Sequence, residues 1–196
     1  MNAPNKLTVL RMIMTPFFLL ALVWQFPYHY FVALGIFIVA SLTDMWDGKL
    51  ARKHNLITDF GKFLDPIADK MLTTAAFLGF ILLDLGEGVI WITFLVLMRE
   101  FMVASVRMLA AAKGTVIAAD IWGKIKTVVQ MVAVIMVLTF EGVIALFAEV
   151  CPTFTVLNTP MVVLYNVALW ASAVLTVISG INYLVKNKDC LDLGNL

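Results

Sequence analysis

Four aspartates stand at helical spacing in a chain that is otherwise strongly apolar. Asp44 and Asp47 fall in the pattern Asp-x-x-Asp-Gly-x-x-Ala-Arg at 44–52, and Asp65 and Asp69 in Gly-x-x-x-Asp-x-x-x-Asp at 61–69. Acids three or four residues apart share one face of a helix, so two facing helices would gather all four carboxylates into one cluster. Such a cluster repels itself unless cations neutralise it. Hard divalent ions with oxygen ligands, Mg²⁺ or Mn²⁺, meet that need, and ions held by carboxylates are suited to chemistry on phosphates. Solvated loop charge is a sufficient reading of Asp59 alone. Asp44 and Asp47 follow a long apolar run and Asp65 and Asp69 open another, where a carboxylate without a cation costs several kcal/mol or takes up a proton.

The elements that must hold these acids are membrane spans. Of 196 residues, 62% are hydrophobic and 14% charged, and the mean hydropathy of +0.97 is too high for a soluble domain of this size. Hydropathy predicts six spans, near 7–25, 30–50, 63–83, 89–112, 122–142 and 161–185. No long polar linker or low-complexity tract interrupts them. The expected architecture is therefore all-α, a polytopic membrane protein with a single bundle of six transmembrane helices, forming one domain over 1–196. A short N-terminal interfacial segment leads in, with Pro4 and Asn5 beginning a helix and Lys6 and Arg11 reaching lipid headgroups. Arg11 and Pro16 interrupt the first apolar run and no small-x-small site follows it, which argues against a cleaved signal peptide. Pro66 is expected in the first turn of the third helix, and Gly48 and Gly61 to permit close backbone approach.

Charge sets the expected topology. The loops predicted at 24–30, 84–88 and 142–160 hold no Lys or Arg, whereas Lys6, Arg11, Lys49, Arg52, Lys53, Lys62, Lys70, Arg107, Lys113, Lys124, Lys126, Lys186 and Lys188 fall to the other side. By the positive-inside rule both termini and the aspartate motif face the cytosol. Cys151 and Cys190 then lie on opposite sides of the membrane and are not expected to pair. Trp24, Tyr28, Tyr30, Trp91 and Tyr183, near span ends, read as interfacial anchors. His29 and His54 fall in predicted loops with no partner at ligand spacing, and neither is expected to be catalytic.

The composite motif resembles the signature of the CDP-alcohol phosphotransferases, membrane enzymes that move a phosphatidyl group from CDP-diacylglycerol to an alcohol; all eight of its fixed positions are present. The resemblance covers nearly the whole chain. Pro4-Asn5-x-x-Thr8-x-x-Arg11, Asp65-Pro66-x-Ala68-Asp69-Lys70, Arg99-Glu100, Arg107 and Gly123-Lys124-x-Lys126-Thr127 are similar to the branch of the family whose acceptor is sn-glycerol 3-phosphate. The resemblance implies that Asp44, Asp47, Asp65 and Asp69 ligate two divalent ions, with Asp69 also the general base. It implies that Asn5, Thr8, Gly48, Arg52 and Thr58 bind CDP-diacylglycerol. It further implies a homodimer in a bacterial inner or cell membrane, with membrane lipids around it and no nucleic-acid partner.

An acceptor that carries a phosphate dianion, held beside an anionic diphosphate, calls for dedicated cations. Arg99 is the leading candidate because it lies well inside the fourth span, where an unpaired charge is costly; the alternative is a structural pair with Glu100. Arg107 stands two turns further along a similar face, and Lys124 and Lys126 open the fifth span, so the four could form one cytosol-facing basic pocket. Other acceptors, namely phosphatidylglycerol, inositol phosphate or serine, would use the same chemistry. A cation transporter with an acidic transport site is the reading from a different class, and it leaves the Gly, Ala and Arg positions between the acids unexplained.

Overall fold

Inside lipid every backbone N–H and C=O must find its partner within the chain, and for long apolar runs the helix is the local solution. The computed structural model describes the backbone of 3–54, 59–112, 114, 117, 120–150 and 155–188, and the side chains of these except 3–5, 44–54, 59–63, 65–66, 69, 149–150 and 155–157. Among the described residues there are six helices and no strand: α1 (Ala3–Val23), α2 (His29–His54), α3 (Asp59–Leu82), α4 (Val89–Ala112), α5 (Ile121–Val150) and α6 (Thr155–Lys186). Among the described residues four stretches are long and apolar enough to cross a membrane: Lys6–Val23, Val89–Ala112, Ile121–Ala148 and Asn158–Lys186. The apolar stretches of α2 and α3 are shorter, His29–Thr43 and Lys70–Leu82. They stop where the aspartate-bearing segments begin. The chain is thus an all-α, multi-pass membrane protein.

Successive helices run in alternating directions, and contacts at both ends of the bundle fix that order. At one end Asp120, before α5, pairs with Lys186 at the end of α6, the oxygen and ammonium 3.7 Å apart. At the other, the turn between α3 and α4 is held by α6: the Glu87 amide donates to Asn166 Oδ1 at 2.6 Å, and Trp170 Nε1 donates to the Glu87 carbonyl at 3.1 Å. α3 ends with Asp84 at φ 54 and a bond of 2.8 Å from the Leu85 amide to the Phe80 carbonyl. That left-handed residue after a helix satisfies carbonyls that would otherwise be orphaned. The main pairings are α1 with α2 and α3, α5 with α6 and α2, and α4 with α6.

The faces are sorted in the sense lipid demands. On α1, Thr8, Arg11, Thr15, Phe18 and Leu22 are buried, a stripe with alternating steps of three and four, while Leu10, Ile13, Phe17 and Leu20 are exposed. On α6 the buried series is Tyr165, Leu169, Ser172, Thr176, Ser179 and Tyr183. Polar groups face inward because lipid offers them no partner, and apolar side chains face outward at no cost. Phe18, Phe37, Phe77, Phe80, Leu138 and Leu169 fill the core at the end away from the aspartates.

Several expectations change. Arg11 does not reach headgroups: it is 2% exposed, one turn before Thr15 on the inward stripe. Pro16 does not break α1, and the Thr15 hydroxyl donates to the Arg11 carbonyl at 2.9 Å in the turn before it. α3 starts at Asp59, so Asp59 opens a helix and Pro66 lies beyond the first turn. The loop expected at 142–160 is mostly helix, because nothing between Val143 and Val150 breaks α5 and the Tyr165 hydroxyl satisfies Glu141 at 2.8 Å. His29 and His54 sit at the two ends of α2, with His29 Nδ1 3.0 Å from the Leu22 carbonyl. Trp24, Tyr28 and Trp91 are exposed near helix ends, as anchors should be, but Tyr183 is buried. Lys113, Cys151 and Cys190 lie outside the described residues.

Candidate active site

The aspartate segments are helical in both halves. Asp44 and Asp47 lie on the second half of α2, and Asp65 and Asp69 on the first half of α3. Helical backbone makes the steps of three and four meaningful, since each pair then shares a face. α1 packs against both helices. The side chains of all four acids lie outside the described residues, as do those of Asn5 and Arg52 and the surroundings of Gly48; Thr58 lies outside entirely. Among the described residues no cluster of three or more His, Cys, Asp or Glu offers another metal site. Thr8 is buried on the inner stripe of α1.

Beside Asp69, the next residue of α3, Lys70, reaches across to α4. Its ammonium is 3.0 Å from Glu100 Oε2. Glu100 also accepts from the Lys126 ammonium of α5 and, at 3.2 Å, from Arg99 Nη1. One carboxylate thus gathers three cations from three helices. A lone carboxylate in a membrane span would be costly, as would Lys126 alone at 5% exposure, and their juxtaposition offsets both costs. Lys126 donates to Gln130 Oε1 as well, at 3.2 Å.

Arg99 is 7% exposed and joins α4 to α6. Its Nη2 donates to Ser179 Oγ at 2.7 Å, and its Nε is buried without a hydrogen-bond partner among the described residues. Gly180 makes room for the stem: a Cβ there would stand 3.0 Å from Arg99 Cγ and 3.2 Å from Met102 Cε. Two turns on, Arg107 Nε donates to the Tyr183 hydroxyl at 3.4 Å, and the guanidinium lies 5.7 Å from the centre of that ring. Ring face and hydroxyl together hold a guanidinium that its own flexible stem would leave free to wander.

These cations converge. A cavity of about 520 Å³ is lined by Lys70, Arg99, Glu100, Arg107, Asp120, Lys124 and Lys126, with Gly123 and Thr127 beside them. All four cations singled out for an acceptor phosphate therefore line one space, with five cationic side chains against two carboxylates. Such an excess suits a small dianion. Among the described residues nothing pairs with the Lys124 ammonium. Arg99 makes its expected pair with Glu100 and lines the cavity too, so the two readings of it coexist. The sequence did not single out Gln130 or Ser179; it offered Lys70 only within the basic set and the family-like stretch, Tyr183 as an interfacial anchor, and Glu100 only as a neighbour of Arg99.

A second space opens from the same wall. A groove of about 710 Å³ runs between α1, α3, α4 and α5, lined by Leu19, Met71, Leu78, Val96, Phe101, Met131 and similar side chains. It shares Lys70, Glu100, Ala104, Lys126 and Thr127 with the cationic cavity. A polar chamber and an apolar groove meeting at a charged seam can receive an amphiphile and a small anion side by side.

The chain is similar to known proteins along most of its length. Residues 1–178 match the model of the family described as CDP-alcohol phosphatidyltransferase. A Bacillus subtilis protein named CDP-diacylglycerol--glycerol-3-phosphate 3-phosphatidyltransferase is 36% identical over 99% of this chain and 99% of its own length. A Mycobacterium tuberculosis protein named probable phosphatidylglycerophosphate synthase is 39% identical over 100% of this chain and 85% of its own. A Haemophilus influenzae protein with the same name as the Bacillus one is 34% identical over 97% and 95%. With a family match across most of its length and relatives this similar end to end, the chain belongs to the CDP-alcohol phosphatidyltransferase family.

Proposed function

We propose that the chain transfers the phosphatidyl group of CDP-diacylglycerol to sn-glycerol 3-phosphate, giving phosphatidylglycerol phosphate and CMP. The observation that carries the choice of acceptor is the convergence of Arg99, Arg107, Lys124 and Lys126 on one cavity beside the Asp69 segment. Serine would leave this excess of cations without a counter-charge, and phosphatidylglycerol, with its own acyl chains, fits the small polar chamber poorly.

The donor set of Asp44, Asp47, Asp65 and Asp69 is all oxygen and strongly anionic, and it fits two hard divalent ions, Mg²⁺ or Mn²⁺. Bound there, the ions would neutralise the diphosphate, polarise the phosphorus under attack and ease departure of CMP. The chain's own residues do the rest. Arg99, Arg107, Lys124 and Lys126 hold the acceptor's phosphate and so fix where its free hydroxyl points. Asp69 takes the proton of that hydroxyl. The hydroxyl oxygen bonds to the phosphorus that carries the diacylglycerol, and the bond from that phosphorus to the CMP oxygen breaks, its electron pair leaving with CMP. Asn5, Thr8, Gly48, Arg52 and Thr58 bind the donor's nucleotide and diphosphate end, Arg52 with a forked cation.

The site lies at the cytosolic surface of a cell membrane, with both termini on that side, because a donor anchored in lipid and an acceptor dissolved in water must meet at an interface. Lys6, Lys124, Lys186 and Lys188 at that end of the bundle, against Asp84 and Glu87 at the other, support this orientation. The test is product identity: labelled glycerol 3-phosphate, phosphatidylglycerol, inositol phosphate and serine are each offered with CDP-diacylglycerol. Label from glycerol 3-phosphate alone should appear in a new phospholipid, phosphatidylglycerol phosphate; a labelled new product from another acceptor in its place would overturn the assignment.

A further inference from the structure

The walls of the apolar groove are mostly hydrocarbon, with the charged seam at one edge, a few threonines and one buried amide. Gln130, 2% exposed, lines the groove one helical turn beyond Lys126, about 6 Å along the axis of α5. Its Oε1 accepts from the Lys126 ammonium at 3.2 Å. An ammonium only donates, so this bond fixes which end of the amide is oxygen and turns the NH₂ the other way. That Nε2 is buried and has no hydrogen-bond partner among the described residues. Nearby hydroxyls are differently disposed: Thr15, Thr73 and Thr127 each donate to a carbonyl of their own helix. An amide donor buried in an apolar wall is expensive to leave unmade.

We propose that Gln130 reads the ester linkage of the lipid in this groove, its Nε2 donating to an ester carbonyl of a diacyl glycerolipid. The occupant is the donor lipid of the reaction proposed above, on which this inference rests. Three features support that choice. The groove shares the Lys70, Glu100 and Lys126 seam with the cationic cavity, so an occupant has an anionic end at the seam and apolar chains away from it. In a glycerolipid the ester carbonyls lie a few bonds from the phosphate, on the side of the chains, and Gln130 lies one turn from the seam on the groove side. Apart from the seam and the threonines, Thr74 among them, the rest of the wall is hydrocarbon, which both acyl and alkyl chains suit, so the carbonyl is what the buried amide adds to recognition.

The test compares CDP-diacylglycerol with its dialkyl ether analogue of equal chain length, measuring CMP release by the full chain in mixed micelles with glycerol 3-phosphate and Mg²⁺. The wild-type chain should favour the ester donor in kcat/KM by about three- to tenfold, the worth of one neutral hydrogen bond. Gln130→Glu keeps an oxygen for Lys126 and loses the N–H; Gln130→Met loses both. In each the ester-to-ether ratio should fall to about one, and because it is a ratio within one variant, a general loss of activity cancels. An undiminished ester preference in active variants overturns the proposal. So does a wild-type chain that shows no preference, a result that needs no variant to fold. No CMP from either donor removes the transferase reading and this inference with it, whereas CMP without ester preference removes only the role of Gln130.

Discussion

At the scale of single residues, Glu100 shows how a membrane protein keeps a crowd of cations usable. Three cations meet its two oxygens, yet Arg99 Nε and the Lys124 ammonium keep no partner among the described residues. Removing the carboxylate takes from the buried Lys126 ammonium the counter-charge of Glu100. Glu100→Ala should therefore destabilise the fold by about 3 kcal/mol, read as a lower melting temperature in detergent, and should raise the KM for glycerol 3-phosphate as Lys70 and Lys126 lose their positions. Tyr183 acts more locally. Tyr183→Phe keeps the ring under Arg107 and removes the hydroxyl that receives its Nε, so the acceptor's KM should rise by about three- to tenfold with little change in kcat. A kcat loss at unchanged KM would show instead that Arg107 does not hold the acceptor.

At the scale of helices, two glycines test whether the two ends of the bundle do different work. Gly180 lets α6 approach the Arg99 stem, whereas a Cβ on Gly142 would meet the Phe31 ring at 3.0 Å, at the end far from the cavity. Gly180→Ala gains helix propensity of about 1 kcal/mol and displaces a flexible arginine. Its melting temperature should hardly move while the acceptor's KM rises. Gly142→Ala should do the reverse, with a packing cost of about 1 kcal/mol net of propensity and an unchanged acceptor KM. Hydropathy located every one of these helices, because an apolar run of such length has little alternative to helix in lipid. It misplaced the α5–α6 connection, since the helix-forming residues after Gly142 prolong α5 past its most apolar stretch. Helical spacing was enough to put Arg99, Arg107, Lys124 and Lys126 forward as a group. It could not reveal Glu100 as the meeting point of Lys70 and Lys126, nor Tyr183 and Ser179 on α6, because those contacts cross between helices far apart in sequence. Arg11 and Tyr183 were misjudged for one reason: position near a span end says nothing about which face of the helix a side chain occupies.

For the whole molecule, the proposed reaction puts the basic end of the bundle in the cytosol and the acidic end outside. In a chain with Cys151 and Cys190 replaced by serine, single cysteines at Lys188 and at Glu87, both exposed, should react with an impermeant thiol reagent from opposite sides of a sealed membrane. Lys188→Cys should label only from the cytosolic side and Glu87→Cys only from outside; labelling of both from one side would refute the topology. In the proposed reaction three components would meet at one interface: a lipid in the groove, a small dianion in the cationic cavity, and divalent ions on the aspartates of α2 and α3. The most direct measurement of that claim is CMP release by the purified chain from CDP-diacylglycerol, with glycerol 3-phosphate and Mg²⁺ or Mn²⁺ added or withheld, beside Asp69→Asn. CMP that needs both additions and collapses in the variant is the predicted result; CMP release that persists without acceptor or metal, or that survives loss of the Asp69 carboxylate, would contradict it.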